Sequence, residues 1–448
     1  MAISTKVIAV IVVLIIAIGG VAAFALLQNK DKSSDQTVDP KDDDNPKEDT
    51  PQEDLSWKVG GEGRLQVYGN ANMDDVMDDK DLKAISYFMS KGWTASEYPY
   101  ADANMDGKVD QSDYDIVDKI LKKQEVDIYY IDGLDETKVF HYPLTKLILG
   151  GNNTHAIVSA VGAYDKAVAR TGTSSLDSTY LKYTYDLPSV GAKAYNIDLD
   201  EASKYTFNTV ITLSSSTYDA IVKALEGTPI NCVRINPDSN EKNVQTYLLL
   251  GFLTDHVDQA QKIAAFYDKW NPVIAENVKK ITQQKTTISK YTGSMTGMNY
   301  YLTQNTVSAG AINLSDFDAN TMKFADNKEK FAEEKYQAEY IVQYLEIGFN
   351  PQYATQGDMQ TAYNKYAKDM DLMKAFPKNY FIVNKDIQDI ARTAYVAQYL
   401  YPEIFGEDFG DKLYAELVQV FFPYIDNFDV TKCYNLFDYQ MAFVDTWA

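Results

Sequence analysis

The sequence feature that most constrains the fold is an amphipathic stretch near the middle of the chain, at residues 256–284. Its apolar residues recur at steps of three and four, which places them on one face of a helix. As a single helix it would span roughly 40 Å at about 1.5 Å per residue, enough to run along two lobes. Pro272 removes a backbone hydrogen bond near its middle, so we expect a kink or a junction of two shorter helices at residues 271–272. The apolar positions are Ile263, Tyr267, Trp270, Ile274, Val278 and Ile281.

Segments with alternating strand and helix patterns lie on both sides of this stretch. Residues 147–149 favour a strand, Thr154 is a candidate N-cap of the helix that follows, and Gly162 lies near the expected end of that helix. Similar alternation continues through residues 198–235 and resumes after the amphipathic stretch. This order is typical of parallel sheets covered by helices, so the sequence predicts an α/β fold.

The N-terminal region has a different character. Residues 7–27 form an uninterrupted run of apolar or small residues, long enough to span a bilayer and longer than a typical signal-peptide core. We expect an uncleaved membrane anchor, with a cleaved signal as the alternative. Residues 28–56 are acidic and almost free of apolar side chains, which predicts a disordered tether. The net charge of −22 argues against nucleic acid as a partner, and the acidic tether fits an extracellular location.

An internal repeat follows the tether. Residues 70–85 and 102–117 align without gaps, and each copy has oxygen-bearing side chains at positions 1, 3, 5, 9 and 12, followed by a helical pattern. This spacing wraps oxygens around one calcium ion, with the backbone carbonyl at position 7 contributing. The copies therefore predict two calcium sites, formed by Asn70, Asn72, Asp74, Val76, Asp78 and Asp81, and by Asp102, Asn104, Asp106, Lys108, Asp110 and Asp113.

The two predicted sites differ at the positions that matter most. The second copy has Gly107 at position 6, where the turn favours a positive φ, whereas the first has Asp75 there. The first copy also has Asn70 in place of an acid at position 1. We therefore expect the second site to bind calcium more strongly.

The duplicated loop and helix resembles a dockerin module over about 60 residues, including an aspartate at the last ligand position of each copy. The resemblance implies a cohesin-type protein partner. The residues just before that position, 79–80 and 111–112, depart from the hydroxyl-rich pattern common in dockerins. The alternative is a calcium-stapled structural module that packs against its own chain.

Residues 138–430 resemble ABC-transporter substrate-binding proteins of the helical-hinge type, a family that takes up iron-siderophores, haem and cobalamin. The resemblance lies in the order of NNTHAIVSAVGAYDKAV, DLDEASKYTFNTVIT, the amphipathic stretch, GAINLSD and NYFIVNKDI. It implies two β/α lobes joined by one long helix, a ligand cleft between them, small closure movements and an ABC permease as partner.

The expected organisation combines these parts. It is an α/β chain with two β/α lobes joined by a long helix, a small all-α loop-helix module and one transmembrane helix. The parts are an anchor at 1–27, a tether at 28–56, the loop-helix module at 57–125, the first lobe at 126–255, the linking helix at 256–284, and the second lobe with a C-terminal segment at 285–448.

Ligands of such a fold bind between the lobes, at the carboxyl ends of the strands. Tyrosine and methionine there suit a bulky, partly apolar ligand such as a metal chelate or macrocycle. The same side chains would otherwise cap helices, fill the core or pair with a neighbouring acid. The candidates are Asn152, Asn153, Thr154, His155, Ser214, Ser215, Tyr218, Ser294, Met295, Tyr300, Tyr301, Arg392 and Tyr395.

Other functions are less well supported. The sequence contains no GxSxG, HExxH, phosphate-loop or GxGxxG motif, so we expect a binding protein and not an enzyme. A cell-surface scaffold that binds a cohesin-type partner is the alternative, followed by a surface glycoside hydrolase. Cys232 lies in a strand pattern and is expected to be a buried thiol, although a disulfide with Cys433 stays open.

Overall fold

A computed structural model describes residue 58 and residues 63–172, 181–237, 242–347, 356–367 and 370–443. The predicted anchor and acidic tether lie outside the described residues. Within the described part, no helix combines the length and apolar character needed to cross a bilayer.

The N-terminal part of the described chain consists of two loop-helix units that pack against each other. Helix α1 spans Asp79–Lys91 and helix α2 spans Gln111–Leu121. Asp78 and Asp110 cap these helices, and the aspartate three residues later completes a capping box in each. The two sequence repeats therefore adopt the same local structure.

A hairpin joins this module to the first lobe. Strand β1 (Val126–Ile131) pairs with β2 (Thr137–Tyr142) in antiparallel register. Val67 of the module forms an isolated β-bridge with Tyr130, and the backbone N–H of residue 131 donates to the carbonyl of residue 66 at 3.0 Å. Backbone hydrogen bonds thus attach the module directly to the hairpin.

The first lobe is built on a four-stranded sheet in the order β4-β3-β5-β6, and all of its strand pairs are parallel. This confirms the predicted parallel sheet and the strand at residues 147–149. The elements are β3 (Leu147–Gly150), α3 (Asn152–Ala160), β4 (Ala167–Arg170), α4 (Leu199–Ala202), β5 (Thr209–Leu213), α5 (Asp219–Leu225) and β6 (Asn231–Ile235).

The prediction that Thr154 caps the helix after β3 is wrong. Helix α3 already begins at Asn152, and Gly151 occupies the N-cap with a φ of 107°. The Thr154 hydroxyl lies inside the first turn and donates to the Gly151 carbonyl at 2.6 Å. Glycine allows the left-handed turn that starts the helix three residues earlier than expected.

The linking helix is continuous. A buried helix, α6 (Asn243–Thr254), precedes it, and the linking helix itself, α7, spans Val257–Val278. Its 22 residues correspond to about 33 Å. Pro272 lies within it, so the expectation of two shorter helices meeting at residues 271–272 is wrong. Because Pro272 is exposed, the hydrogen bond that it removes lies where water can replace it.

The second lobe contains a mixed sheet in the order β10-β8-β7-β11-β12-β13, with β9 beside β7. Its central pairs, β7–β11 and β11–β12, are parallel, whereas β8, β10 and β13 pair antiparallel. The strands are β7 (Thr286–Tyr291), β8 (Ser294–Thr296), β9 (Ile312–Asn313), β10 (Thr321–Lys323), β11 (Tyr340–Leu345), β12 (Tyr380–Asn384) and β13 (Leu436–Asp438). The helices are α8 (Tyr301–Ser308), α9 (Lys328–Phe331), α10 (Gln356–Tyr366), α11 (Asp389–Leu400), α12 (Pro402–Phe405), α13 (Phe409–Phe421) and α14 (Tyr439–Phe443).

One hydrophobic core connects the module, both lobes and the linking helix. Phe88 of α1, Leu149 of β3, Tyr267 of the linking helix and Tyr395 of α11 all belong to it and are at most 1% exposed. The described residues accordingly form one compact unit. The walls of any cleft between the lobes therefore rest on a shared core.

Candidate ligand cleft and calcium loops

A cleft of about 1230 Å³ lies between the lobes, at the carboxyl ends of β5 and β6 on one side and of β7 on the other. Ligands of α/β folds bind at such strand ends. The volume exceeds the roughly 300–1,000 Å³ of ordinary small-molecule pockets, so a bulky ligand fits. The described lining residues are Asn153, Leu213, Ser214, Ser215, Thr217, Tyr218, Ile235, Asn236, Pro237, Tyr291, Thr292, Ser294, Asn299, Tyr300, Tyr301, Gln304, Ser308, Asn320 and Thr321.

The wall formed by the first lobe is the turn after β5. Ser215 caps the short 3₁₀ turn that carries Tyr218. The Tyr218 ring lies so close to Gly151 that a Cβ on that glycine would approach it to 2.5 Å. Arg234 of β6 lies behind the turn and donates to the Ser215 carbonyl at 3.1 Å. The glycine and the arginine together position the tyrosine at the cleft.

The wall formed by the second lobe is rich in tyrosine. Tyr291 ends β7, and Tyr300 and Tyr301 begin α8. The ring centroids of Tyr291 and Tyr300 are 6.4 Å apart, and those of Tyr300 and Tyr301 are 4.7 Å apart. The Tyr291 hydroxyl donates to Glu346, and burial together with this carboxylate raises the pKa of Tyr291. The Tyr291 hydroxyl therefore stays protonated at neutral pH, and the ring offers the cleft a neutral aromatic surface.

A smaller pocket of about 50 Å³ shares Tyr301 with the cleft and contains Arg392 in its wall. Arg392 is 3% exposed. Its Nε donates to Asn305 at 2.8 Å, and its Nη1 donates to the carbonyls of Lys385 (2.9 Å) and Ile387 (2.6 Å). Its guanidinium carbon lies 5.5 Å from the Tyr301 ring centroid. Arg392 therefore supports Tyr301 from behind.

A polar network below this pocket joins three helices. The buried carboxylate of Asp389, at the start of α11, accepts hydrogen bonds from Tyr267 of the linking helix at 3.2 Å and from Asn243 of α6 at 3.0 Å. Desolvation raises the pKa of Tyr267, so its hydroxyl keeps the proton that it donates. The network connects the second lobe to the linking helix close to the base of the cleft.

This architecture matches known binding proteins. The sequence matches no protein family model and no curated protein. Among solved structures, the chain is similar to the TroA-like periplasmic binding protein FepB from Veillonella parvula, with 16% identity, a TM-score of 0.54, and coverage of 66% of this chain and 96% of that one. The chain has the fold of a periplasmic solute-binding protein.

Two further structures with this solute-binding fold are described with their ligands. One is CeuE of Helicobacter pylori in a Ni-His complex, at 13% identity and a TM-score of 0.51, covering 68% of this chain and 98% of that one. The other is the molybdate-bound periplasmic binding protein MolA of Haemophilus influenzae, also at 13% identity and a TM-score of 0.51, covering 66% of this chain and 98% of that one. At such identities the likeness establishes the fold.

Only some of the residues predicted to bind the ligand line the cleft. Seven predicted residues line it, and Arg392 lines only the smaller pocket. Asn152, Thr154, His155, Met295 and Tyr395 line neither. The seven are Asn153, Ser214, Ser215, Tyr218, Ser294, Tyr300 and Tyr301.

Four of the five residues that do not reach the cleft are buried for local reasons, and Asn152 is half-buried. Thr154 and His155 are 0% exposed, because the next positions of α3 turn into the lobe after Asn153. Met295 follows Ser294 on β8 and points to the opposite face of that strand, where it is also 0% exposed. The Tyr395 hydroxyl donates to Asp411 at 2.8 Å inside the core.

Sequence reasoning missed several lining residues. Asn236 and Pro237 directly follow β6, so the rule that selected Ser214 after β5 would have found them. Asn299 and Gln304 flank the predicted tyrosines. Asn320, beside the short edge strand β10, carried no signal, because its place in the sheet depends on pairing with β8.

His155 is a structural residue of the first lobe. Burial, with a smaller contribution from the positive charge of Arg170, lowers its pKa to about 3. The imidazole is therefore neutral at physiological pH. His141 lies at the hairpin beside Asp127, and His256 precedes the linking helix, so the three histidines are not gathered in one metal site.

Both cysteines are free thiols, so the disulfide left open by the sequence does not form. Burial raises the pKa of Cys232 to about 11 and that of Cys433 to about 12. Neither thiol is activated for reaction at neutral pH.

The second predicted calcium loop is closed around Asp102. The carboxylate accepts backbone hydrogen bonds from Asp106 at 3.0 Å and from Gly107 at 2.8 Å. Gly107 has a φ of 89°, as expected for position 6. At the other end of the loop, Asp113 accepts from the backbone N–H groups of Asn104 and Asp110.

The first loop is closed differently. Its Asn70 is 1% exposed, and its amide nitrogen donates to the carbonyls of Leu65 (2.8 Å) and Asp74 (2.7 Å). The amide oxygen of Asn70 is buried without a hydrogen-bond partner. Asp75, at position 6, pairs with Arg64 outside the loop. The first loop thus uses an amide where the second uses a carboxylate.

The loop carboxylates are crowded and partly desolvated. Burial, with the neighbouring Asp74 and Asp78, raises the pKa of Asp81 to about 7, and burial also raises that of Asp113. A bound cation would reverse this effect. Within the described ranges, no three His, Cys, Asp or Glu side chains form a metal cluster. The predicted calcium sets combine three or four aspartates with Asn side chains and with the backbone carbonyls of Val76 and Lys108, and calcium binding by them stays a prediction.

Proposed function

We propose that the protein is the substrate-binding component of an ABC importer, with its globular part outside the cell. The observation that carries the proposal is the cleft of about 1230 Å³ at the strand ends between the two lobes. The solute-binding fold supports it, since FepB, a structural neighbour, is described as a periplasmic binding protein. The partner would be an ABC permease, and the apolar segment at residues 7–27 would hold the protein at the membrane.

The ligand proposed for this cleft is a metal chelate or macrocycle of the iron-siderophore, haem or cobalamin kind. The size of the cleft and the three tyrosines on its second-lobe wall support a bulky ligand with flat apolar surfaces. The structural neighbours are described with ligands as different as Ni-His and molybdate. The fold alone therefore does not select the ligand.

Calorimetric titration of the full chain with ferric chelates, haem and corrinoids tests the proposal. We expect saturable binding of one of them, weakened about tenfold or more in Tyr300→Ala, because an aromatic contact is lost from the cleft. Tyr195→Ala is the matched control, since Tyr195 is 42% exposed and does not line the cleft. Absence of binding across the panel, together with sugar release from polysaccharides, would overturn the proposal in favour of the glycoside hydrolase.

We further propose that the loop-helix module binds two calcium ions, the second loop more strongly. The duplicated ligand spacing and Gly107 support this assignment. The module would serve as a structural brace, since Val67 pairs with the hairpin and Arg64 contacts the linking helix. Binding of a cohesin-type partner is the alternative, and capture of a purified cohesin by the full chain in calcium, reversed by chelator, would favour it.

A further inference from the structure

The cleft is large and polar, and its described lining carries no charge. Of its nineteen described lining residues, none is Lys, Arg, His, Asp or Glu. The lining contains four tyrosines, several hydroxyl side chains and five primary amides. The amides are Asn153, Asn236, Asn299, Gln304 and Asn320. Each amide offers both a donor and an acceptor, so the lining can match groups of either kind on a ligand.

Two cations that contact lining residues, Arg234 beside Ser215 and Lys385 beside Tyr291, are already engaged within the protein. Arg234 donates to the Ser215 carbonyl and forms a 3.0 Å ion pair with Asp219. Lys385 lies 3.5 Å from Glu346 and 3.2 Å from Asp386. Neither is available to an anionic ligand without breaking an existing pair.

Arg392, in the smaller pocket, is engaged in the same way. It donates to Asn305 and to two backbone carbonyls.

A charged ligand would therefore lose its hydration in the cleft without gaining a counter-charge from the lining. Burial of an unpaired charge is unfavourable for either sign. The net charge of −22 adds a long-range repulsion for anions. A neutral ligand avoids both costs, because it exchanges hydrogen bonds with water for hydrogen bonds with amides and hydroxyls.

We propose that the cleft selects an electrically neutral ligand that carries hydroxyl and amide groups at its edge and a flat apolar surface for the tyrosines. This inference rests on the proposed function and narrows it. A neutral hydroxamate chelate, a neutral corrinoid and a neutral oligosaccharide share this chemistry, whereas catecholate chelates and haem carry net negative charge.

The test compares ligands that differ in charge, using the full chain in calcium. Calorimetry measures a neutral ferric trishydroxamate, the same chelate bearing an added carboxylate, a cyano-corrinoid, a neutral oligosaccharide, a ferric triscatecholate and haem. We expect the tightest ligand to be neutral, and an added carboxylate to weaken binding about tenfold or more. Affinity for the neutral ligand should stay nearly constant between about 50 and 500 mM salt. The neutral ligand that binds most tightly shows whether the natural ligand is a chelate, a corrinoid or an oligosaccharide.

A pair of lysine variants on α8 tests whether a charge in the lining changes the affinity for a charged ligand. Gln304→Lys places a cation in the cleft and should improve binding of the carboxylate-bearing chelate about tenfold. Val307→Lys is the matched control, since Val307 lies on the same helix, is 43% exposed and does not line the cleft. Val307→Lys should leave the affinities for the neutral chelate and for the carboxylate-bearing chelate unchanged.

The outcomes distinguish the inference from the proposed function. Tighter binding of the carboxylate-bearing chelate, of the triscatecholate or of haem would overturn the neutral-ligand inference and leave the importer function standing. Equal effects of the two lysine variants would also overturn it. Absence of binding by every ligand in the set would overturn both.

Discussion

Arg64 of the loop-helix module donates hydrogen bonds to Asp268 of the linking helix, 204 residues later in the chain. The same guanidinium donates to Asp75 in the first predicted calcium loop, with 3.0 Å between Nε and Oδ1. These hydrogen bonds raise the pKa of Arg64 further above its usual value. The arginine therefore connects the first loop to the helix that joins the two lobes.

Replacement of this arginine tests whether the module braces the linking helix. Arg64 is only 20% exposed, so Arg64→Met leaves Asp75 partly buried without its cation. We expect the free energy of unfolding to fall by about 1–3 kcal/mol. Urea denaturation in calcium measures it. Lys204→Met, which removes an exposed pair with Glu201, should leave stability nearly unchanged, and equal effects of both variants would contradict the brace.

Calcium should stabilise the folded chain through the loops. If only the folded state binds the ion, a site with free calcium about 100-fold above its Kd contributes about 2.7 kcal/mol. We expect chelator to lower the melting temperature, and Asp102→Ala to remove the tighter binding step in calorimetry. Asn70→Ala should affect the weaker step. A melting temperature unaltered by chelator would contradict the calcium assignment, and loss of the tighter step in Asn70→Ala would reverse the order of the sites.

Acidification should destabilise the first lobe through His155. Its pKa is about 3 in the folded protein and about 6.5 when unfolded, so below pH 6.5 the unfolded state binds the proton first. Stability is therefore complete above pH 6.5 and is lost as the pH falls towards 3, at a slope of up to about 1.4 kcal/mol per pH unit. His155→Gln should flatten this slope relative to the parent, measured by urea denaturation at several pH values. His141→Gln at the exposed hairpin should keep it, and identical slopes for the two variants would refute the assignment.

Local patterns predicted the architecture because each element of the lobes signals itself within a few residues. The strand at 147–149, the alternation through 198–235 and the face formed by Ile263, Tyr267 and Ile274 needed no distant contact. The sequence left open whether Pro272 kinks the linking helix or divides it. A proline would break a buried helix, whereas Pro272 is tolerated because the lost hydrogen bond faces water, and exposure is a property of the packed chain.

The sequence predicted the location of the candidate site, because strand ends can be predicted, but not which side chains line it. Ser214 and Tyr300 follow or flank strands and line the cleft, whereas Met295 lies inside β8 and Tyr395 inside α11, and both are buried. A strand end defines a neighbourhood but not the direction of a side chain. The absence of charge among the described lining residues also emerges only once both lobes are assembled, because each segment alone lies near charged residues in sequence.

The network at the base of the cleft yields the last prediction. Asp389 is 2% exposed and accepts from both Tyr267 and Asn243, so Asp389→Leu leaves two buried donors without an acceptor. We expect the free energy of unfolding to fall by about 2–4 kcal/mol. Tyr267→Phe removes the donating hydroxyl itself and should lower the free energy of unfolding by about 1 kcal/mol.

A double variant shows whether these effects share a cause. If the hydroxyl of Tyr267 and the carboxylate of Asp389 act as one unit, Asp389→Leu should cost less in the Tyr267→Phe background than in the parent, by about 0.5–3 kcal/mol. Glu276→Leu, at an exposed position of the same linking helix, is the control and should leave stability nearly unchanged. Strictly additive costs for the pair would show that the hydrogen bond between α11 and the linking helix contributes nothing to their coupling.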